Sequence, residues 1–381
     1  MCSSGVAVRR FAYIDALRGY AILMVIAVHS SQYFADLPGP VKALADQGAR
    51  GVQLFFVTSA LTLCMSWYSR NDGASRFYVR RLFRIAPMFW LAIIFFVTTQ
   101  GVGPRYYAPE GIGVRHIAMT VLFLHGLLPD TITSVVPGGW SVADEVVFYA
   151  IFPLLFLALN RMTLSRAIVS TIVVIVLCGF VNRIAGLYGQ SLPEVDPGLW
   201  GVFTALWFPR QFPCFLFGML IFKIATTAQQ PSRATARILI VTSVVAMVAI
   251  PFLEGVKYIT PLGLPTTYGI LFAVFALGLT TWQPKIIVNH AVGWIGKVSF
   301  SGYLVHLALI GRVPLLHPFD SPTLDLLVMF AAITTLTLVV SSLTYLMVER
   351  PMIKLGNVLT DRVSRRVLAL TRSQTVSARS S

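Results

Sequence analysis

Two histidines sit inside apolar runs of this chain. His29 ends RGYAILMVIAVH (18–29) and His306 ends VSFSGYLVH (298–306). A neutral imidazole takes up a proton near neutral pH, which suits a hydroxyl that has to become a nucleophile. A hydrogen bond between packed helices is the other use of a histidine in such a place. Arg18 precedes His29 by eleven residues, about 16 Å along a helix. It reads either as an anchor reaching back to the membrane surface or as a ligand for an anion. His306 follows Lys297 by nine residues, about 14 Å, so the two histidines are expected at similar depth from the same face.

A second cluster lies in YSRNDGASRFYVRRLFRIAP, which holds five arginines and no lysine. Arg81 and Arg84, three apart, share a helix face. A cytoplasmic loop is expected to be basic, which accounts for part of this. Guanidinium forks also match phosphate oxygens in a way ammonium groups do not, so a polyphosphorylated ligand such as a nucleotide or coenzyme A is the alternative. The third group is GGWSVADEVVFYAIFPLL (138–155), where a Gly-Gly turn leads through Trp140 and Ser141 to Asp144, Glu145 and Tyr149. Carboxylates at the start of a helix complement its dipole. Glu145 could equally orient a histidine or an acceptor hydroxyl at the outer end of this span.

These residues need elements to carry them, and composition says which. Mean hydropathy is +0.76, 56% of residues are hydrophobic and 12% charged, far below the roughly 25% charged residues of a soluble domain. Apolar runs near the length of a bilayer crossing recur throughout. The expected fold is all-α, a polytopic membrane bundle with spans near 14–34, 52–68, 84–100, 144–160, 166–187, 204–222, 238–254, 267–282, 293–311 and 324–348. The stretch 116–128 is short for a crossing and reads as a re-entrant or interfacial piece. With both termini cytoplasmic, 22 of the 30 basic residues face inside; if 116–128 crossed, only 12 would. The positive-inside rule therefore favours ten spans. The net charge of +15 is mainly an orientation signal, and nucleic acid is not the expected partner. Four cysteines without C-x-x-C spacing give no metal site. The membrane domain is expected over 1–358, followed by a basic cytoplasmic tail at 359–381.

Taken together, the chain resembles the membrane acyltransferase-3 family, whose members O-acylate sugars and some small molecules. The matching pieces, in the family's order, are DALRGYAILMVIAVH, GVQLFFVTSALTL, FYVRRLFRIAP, WSVADEVVFYAIFPLL, VSFSGYLVH and VERP, running from Asp15 to Pro351. The family's R-x10-H pattern falls on Arg18 and His29, its R-x-x-R pattern on Arg81 and Arg84, and its acidic residue after W-S on Glu145. Ser59-Ala60-Leu61 stands where the family usually has Ser-Gly-Phe, and Gln53 where it often has an acid.

The resemblance implies an acyltransferase moving an acyl group, most often acetyl, from cytoplasmic acyl-CoA to a hydroxyl of an exported or surface glycan. Acyl-CoA is then a donor substrate, and no permanently bound cofactor is implied. Arg18, Arg81 and Arg84 would hold its phosphates. His29 would be general base or acyl carrier, and Glu145 would position the acceptor or polarise a histidine. Trp140, Ser141, Tyr149, Tyr303 and His306 would support them. The implied location is a bacterial inner membrane. A natural-product acyltransferase would differ only in its acceptor. A secondary transporter would also place histidines and arginines in spans, but it leaves the arginine-only loop unexplained.

Overall fold

A computed structural model describes residues 3–70, 73–189, 196–227, 230–253, 263–314 and 318–361, with backbone alone for 3–11. The part of the expected tail from 362 on lies outside the described residues. Helices α1 (Ser3–Ser31), α2 (Gly39–Asp46), α3 (Gly51–Arg70), α4 (Ala74–Gln100), α5 (Val114–Val121), α6 (Trp140–Arg161) and α7 (Leu164–Gly189) make the first half. The second half holds α8 (Pro197–Leu206), α9 (Phe208–Thr227), α10 (Arg233–Ala249), α11 (Gly263–Thr281), α12 (His290–Lys297), α13 (Ser299–Ile310) and α14 (Pro322–Thr344). No β-strand occurs among the described residues.

Nine described helices are long and apolar enough to cross a bilayer, and they coincide with nine of the ten expected spans. The tenth, 293–311, is broken at Val298 into α12 and α13. The twelve residues of α13 reach about 18 Å, short of the roughly 30 Å hydrocarbon layer. Helix α12 packs so closely on α1 that a Cβ at Gly296 would lie 1.7 Å from the Asp15 carbonyl oxygen. Beyond the break, Gly302 of α13 lies against Ile22 of α1.

The core is built on α3, α6 and α9. Phe56 of α3 stacks on Phe215 of α9, with ring centroids 4.5 Å apart, and Phe215 stacks on Phe148 of α6 at 4.3 Å. Further along, Trp67 of α3 meets Phe152 and Phe156 of α6, and Phe156 meets Phe222 of α9. The contacting residues advance along the sequence together in all three helices, so all three run in the same direction. Between α3 and α6 the chain has one long helix, α4. Helix α5, eight residues and about 12 Å long, does not carry the chain back across.

Residues 131–136 between α5 and α6 are all buried, although they are not helical. Backbone in such a place must be satisfied by protein. Thr131 Oγ1 donates to the His125 carbonyl at 2.8 Å, Gly138 N–H donates to Thr133 Oγ1 at 3.0 Å, and Arg105 Nη1 donates to the Ser134 carbonyl at 2.9 Å. Helices α7 and α10 instead expose apolar side chains such as Val173, Phe180 and Val241, a surface suited to lipid.

Candidate active site

Helix α6 starts deeper than α3. Trp140, its first residue, packs edge-on against Phe56, five residues into α3, with centroids 6.1 Å apart. Glu145 accepts a hydrogen bond from Ser59, eight residues into α3. Meanwhile Arg81 and Arg84 lie two to three turns inside α4, which begins at Ala74. The expectation that Glu145 lies at the outer end of its span, across from the arginines, is therefore corrected. Arg18, Arg81, Arg84 and Glu145 line one cavity of about 70 Å³, together with Ser59, Ser141, Tyr149 and Tyr303. The buried 131–136 loop fills the depth that α6 leaves, and hydropathy alone does not show that displacement.

Each charge in the cavity has a defined setting. Arg18 Nη2 donates to Thr62 Oγ1 at 3.2 Å. The Arg81 guanidinium lies 5.7 Å from the Phe77 ring centroid and 5.8 Å from that of Tyr149, a cation–π setting that leaves its buried Nε–H without an acceptor. Arg84 Nη1 is 3.5 Å from Glu349 Oε1, and the other Glu349 oxygen accepts from Ser301 Oγ at 2.8 Å. Glu145 Oε1 accepts from both Ser59 and Tyr149, the latter at 2.6 Å. Three guanidinium groups, that of Arg84 paired with Glu349, therefore share one cavity with the Glu145 carboxylate, and guanidinium is the side-chain group whose fork matches an oxyanion.

The histidines form a pair beside this cavity rather than within it. The rings of His29 and His306 lie 5.4 Å apart, tilted by 39°. His306 Nδ1 is 2.7 Å from the Tyr303 carbonyl oxygen and 3.3 Å from that of Gly302. Carbonyls only accept, so Nδ1 carries the proton and Nε2 keeps a lone pair. Nε2 is buried and has no hydrogen-bond partner. His29 Nδ1 lies 3.1 Å from Gln32 Oε1, and donation to that oxygen likewise leaves the His29 Nε2 lone pair free to act as a base.

Tyr303 joins the two halves of the site. Its ring is 5.6 Å from that of His306, and its hydroxyl, in the cavity wall, donates to the Gly138 carbonyl at 2.9 Å and accepts from Ser141 Oγ at 2.9 Å. Of the residues singled out from sequence, seven line the cavity, Trp140 stands behind its Phe56 wall, and His29 and His306 pair next to it. Glu349, Thr62, Ser301 and Gln32 were not singled out. Glu349 had a signal: it is an acid ending the apolar run SLTYLMVE. It sits in a π-helical turn, Tyr345–Glu349, that continues α14, a distortion frequent at functional sites.

With this geometry in place, comparison with known proteins identifies the class. The chain belongs to the acyltransferase-3 family, whose model, described as an acyltransferase domain, matches residues 11–346. The protein is thus a multi-pass membrane acyltransferase that transfers groups other than amino-acyl groups. It is similar to the exopolysaccharide production protein ExoZ of Rhizobium meliloti (strain 1021), 25% identical over 321 residues that cover 81% of this chain and 90% of ExoZ. It is also similar to the acyltransferase MdmB of Streptomyces mycarofaciens, 25% identical, covering 79% of each chain. The regulator of hypoxia-inducible factor 1 of Caenorhabditis elegans is 21% identical, over 81% of this chain and 69% of its own length. No solved structure matches this chain.

Proposed function

We propose that this protein O-acylates a sugar hydroxyl of an exported or surface glycan, with cytoplasmic acyl-CoA, acetyl-CoA in the simplest case, as donor. The observation that carries this reading is the gathering of Arg18, Arg81 and Arg84 in one interior cavity whose Tyr303 wall backs onto the paired histidines. The likeness to a protein of exopolysaccharide production supports a glycan acceptor. The excess of basic residues on one side supports cytoplasmic termini, and the likeness to a bacterial protein of exopolysaccharide production supports an inner-membrane location.

In this reading the arginines hold the phosphates of the donor, and its pantetheine arm passes Glu145 and Tyr303 toward His29. His29 Nε2 takes the proton of the acceptor hydroxyl as its oxygen attacks the thioester carbonyl. The C–S bond then breaks, and the thiolate takes the proton back from the imidazolium, so the enzyme ends unchanged. His306, held by two backbone carbonyls, fixes the position of His29. Glu145, held by Ser59 and Tyr149, borders the donor's path.

The test is the ester-linked acyl content of the host's glycans by NMR, in strains carrying wild-type protein, His29→Ala or Arg84→Ala at matched membrane levels. Loss of one O-acyl signal in both variants is expected. An unchanged spectrum would refute the glycan reading.

A further inference from the structure

A second pair of arginines lies away from the cavity. Arg50 ends a short 3-10 turn, Gln47–Arg50, and α3 begins at the next residue. Arg210 is in the first turn of α9, which runs parallel to α3. This turn is pressed onto α1: a Cβ at Gly48 would lie 2.2 Å from the Met24 carbonyl oxygen and one at Gly51 2.3 Å from that of Ala21. Arg50 is therefore carried beside the stretch of α1 between Arg18 and His29. Along α3 it precedes Ser59, in the cavity wall, by about 13 Å of helix.

Among the described residues the pair has no counter-charge. Arg50 and Arg210 stand three residues before Gln53 and one before Gln211, at the starts of two parallel helices joined at this level, and the Arg210 guanidinium lies against Gly263, the first residue of α11. No described carboxylate pairs with either arginine. Both Nε–H donors are buried and meet no acceptor. Next to them Gln53, 2% exposed, gives its amide N–H to Gln211 Oε1 at 2.8 Å, which ties α3 to α9 at this level. Two like charges brought together with unused donors are unfavourable unless an anion joins them. The Nε–H and Nη–H edge of a guanidinium is the edge that binds an oxyanion through two parallel hydrogen bonds.

We propose that Arg50 and Arg210 form a second oxyanion site, separate from the Arg18–Arg81–Arg84 cavity, that takes a phosphate or carboxylate carried by the acceptor. The assignment to the acceptor rests on the transferase reading above. The site lies at the end of α3 opposite Arg70, and it flanks α1 between the donor arginines and His29. An acceptor anchored there by its anionic group presents a hydroxyl to His29 from the side the donor does not use.

The test uses the full chain in phosphatidylcholine nanodiscs, with inorganic phosphate as the calorimetric probe. Wild type is expected to show two classes of phosphate site. Arg50→Gln with Arg210→Gln removes one, and Arg81→Gln with Arg84→Gln removes the other. Arg50→Lys with Arg210→Lys keeps the charges, guards against a folding defect and is expected to weaken that site about tenfold, because the fork is lost. Phosphate binding unaltered by the first double variant would overturn the site. Repeating the titration with phosphatidylglycerol in the disc separates the sources. Loss of phosphate affinity in wild type but not in the double glutamine variant would assign the pair to a lipid headgroup and overturn the acceptor assignment. In turnover, Arg50→Gln raises the KM for an anionic acceptor about tenfold with kcat within twofold, and an unchanged KM would also overturn it. The phosphate titration requires no acyl transfer, so its failure is distinct from failure of the transferase reading.

Discussion

Glu349→Ala is the most informative single substitution in the core. Glu349 has no exposed side-chain surface and stands 3.5 Å from Arg84, which is 29% exposed. At that separation and an effective dielectric of about 20 the attraction is roughly 5 kcal/mol, most of it offset by removing both ions from water. Removing one partner of a buried pair costs about 3–5 kcal/mol. The value here is about 3 kcal/mol, because Arg84 can turn its charge toward the cavity. The double variant Arg84→Met with Glu349→Ala removes both charges and is expected to recover part of that loss, giving a coupling of at least about 1.5 kcal/mol. The assay is SDS unfolding of the detergent-solubilised chain followed by tryptophan fluorescence, in a full double-mutant cycle. Strictly additive effects would show that the two side chains do not stabilise each other and would refute this use of the geometry.

Three further outcomes follow from the same structure. Gly296→Ala places a methyl group against the Asp15 backbone and should lower stability by about 1–3 kcal/mol; Gly293→Ala, with open space around it, should be neutral or slightly stabilising. Thermal melts of the pair read this directly, and equal melting temperatures would contradict it. Arg81→Lys gives up the planar guanidinium fork and shifts the charge that faces Phe77 and Tyr149. The KM for acyl-CoA should rise about tenfold while the melting temperature holds, and an unchanged KM would remove Arg81 from the donor site. His306→Asn retains an N–H for the Tyr303 carbonyl but loses the lone pair beside His29. It is expected to leave the fold intact and to move the pH–rate profile set by His29, and an unmoved profile would make His306 a packing residue.

Much of this architecture is legible from hydropathy, because lipid forces long apolar helices on the chain. Nine spans and the shortness of 116–128 follow from that constraint alone. The spacing of Arg81 and Arg84 reads correctly for the same reason: it is local. What is not legible is relative depth. Glu145 stands near the start of its helix in sequence and in the interior in space, because the buried loop at 131–136 sets where α6 begins. The break at Val298 is equally silent, since both halves are apolar and the turn needs no proline or polar run. Glu349 does not read as a site residue, because an acid before Arg350 and Pro351 reads as the end of a span, whereas α14 and its π turn continue in helix to 361.

In the proposed reaction His29 carries the proton in acyl transfer while the arginine cavity holds the donor. This is tested most directly by single-turnover transfer from radiolabelled acetyl-CoA to deacylated host glycan, with the purified chain and its His29→Gln variant in nanodiscs. Transfer by wild type, with a rate loss of about 10²–10⁴ in the variant and donor affinity preserved, is the predicted result. Transfer at the wild-type rate by His29→Gln would contradict it.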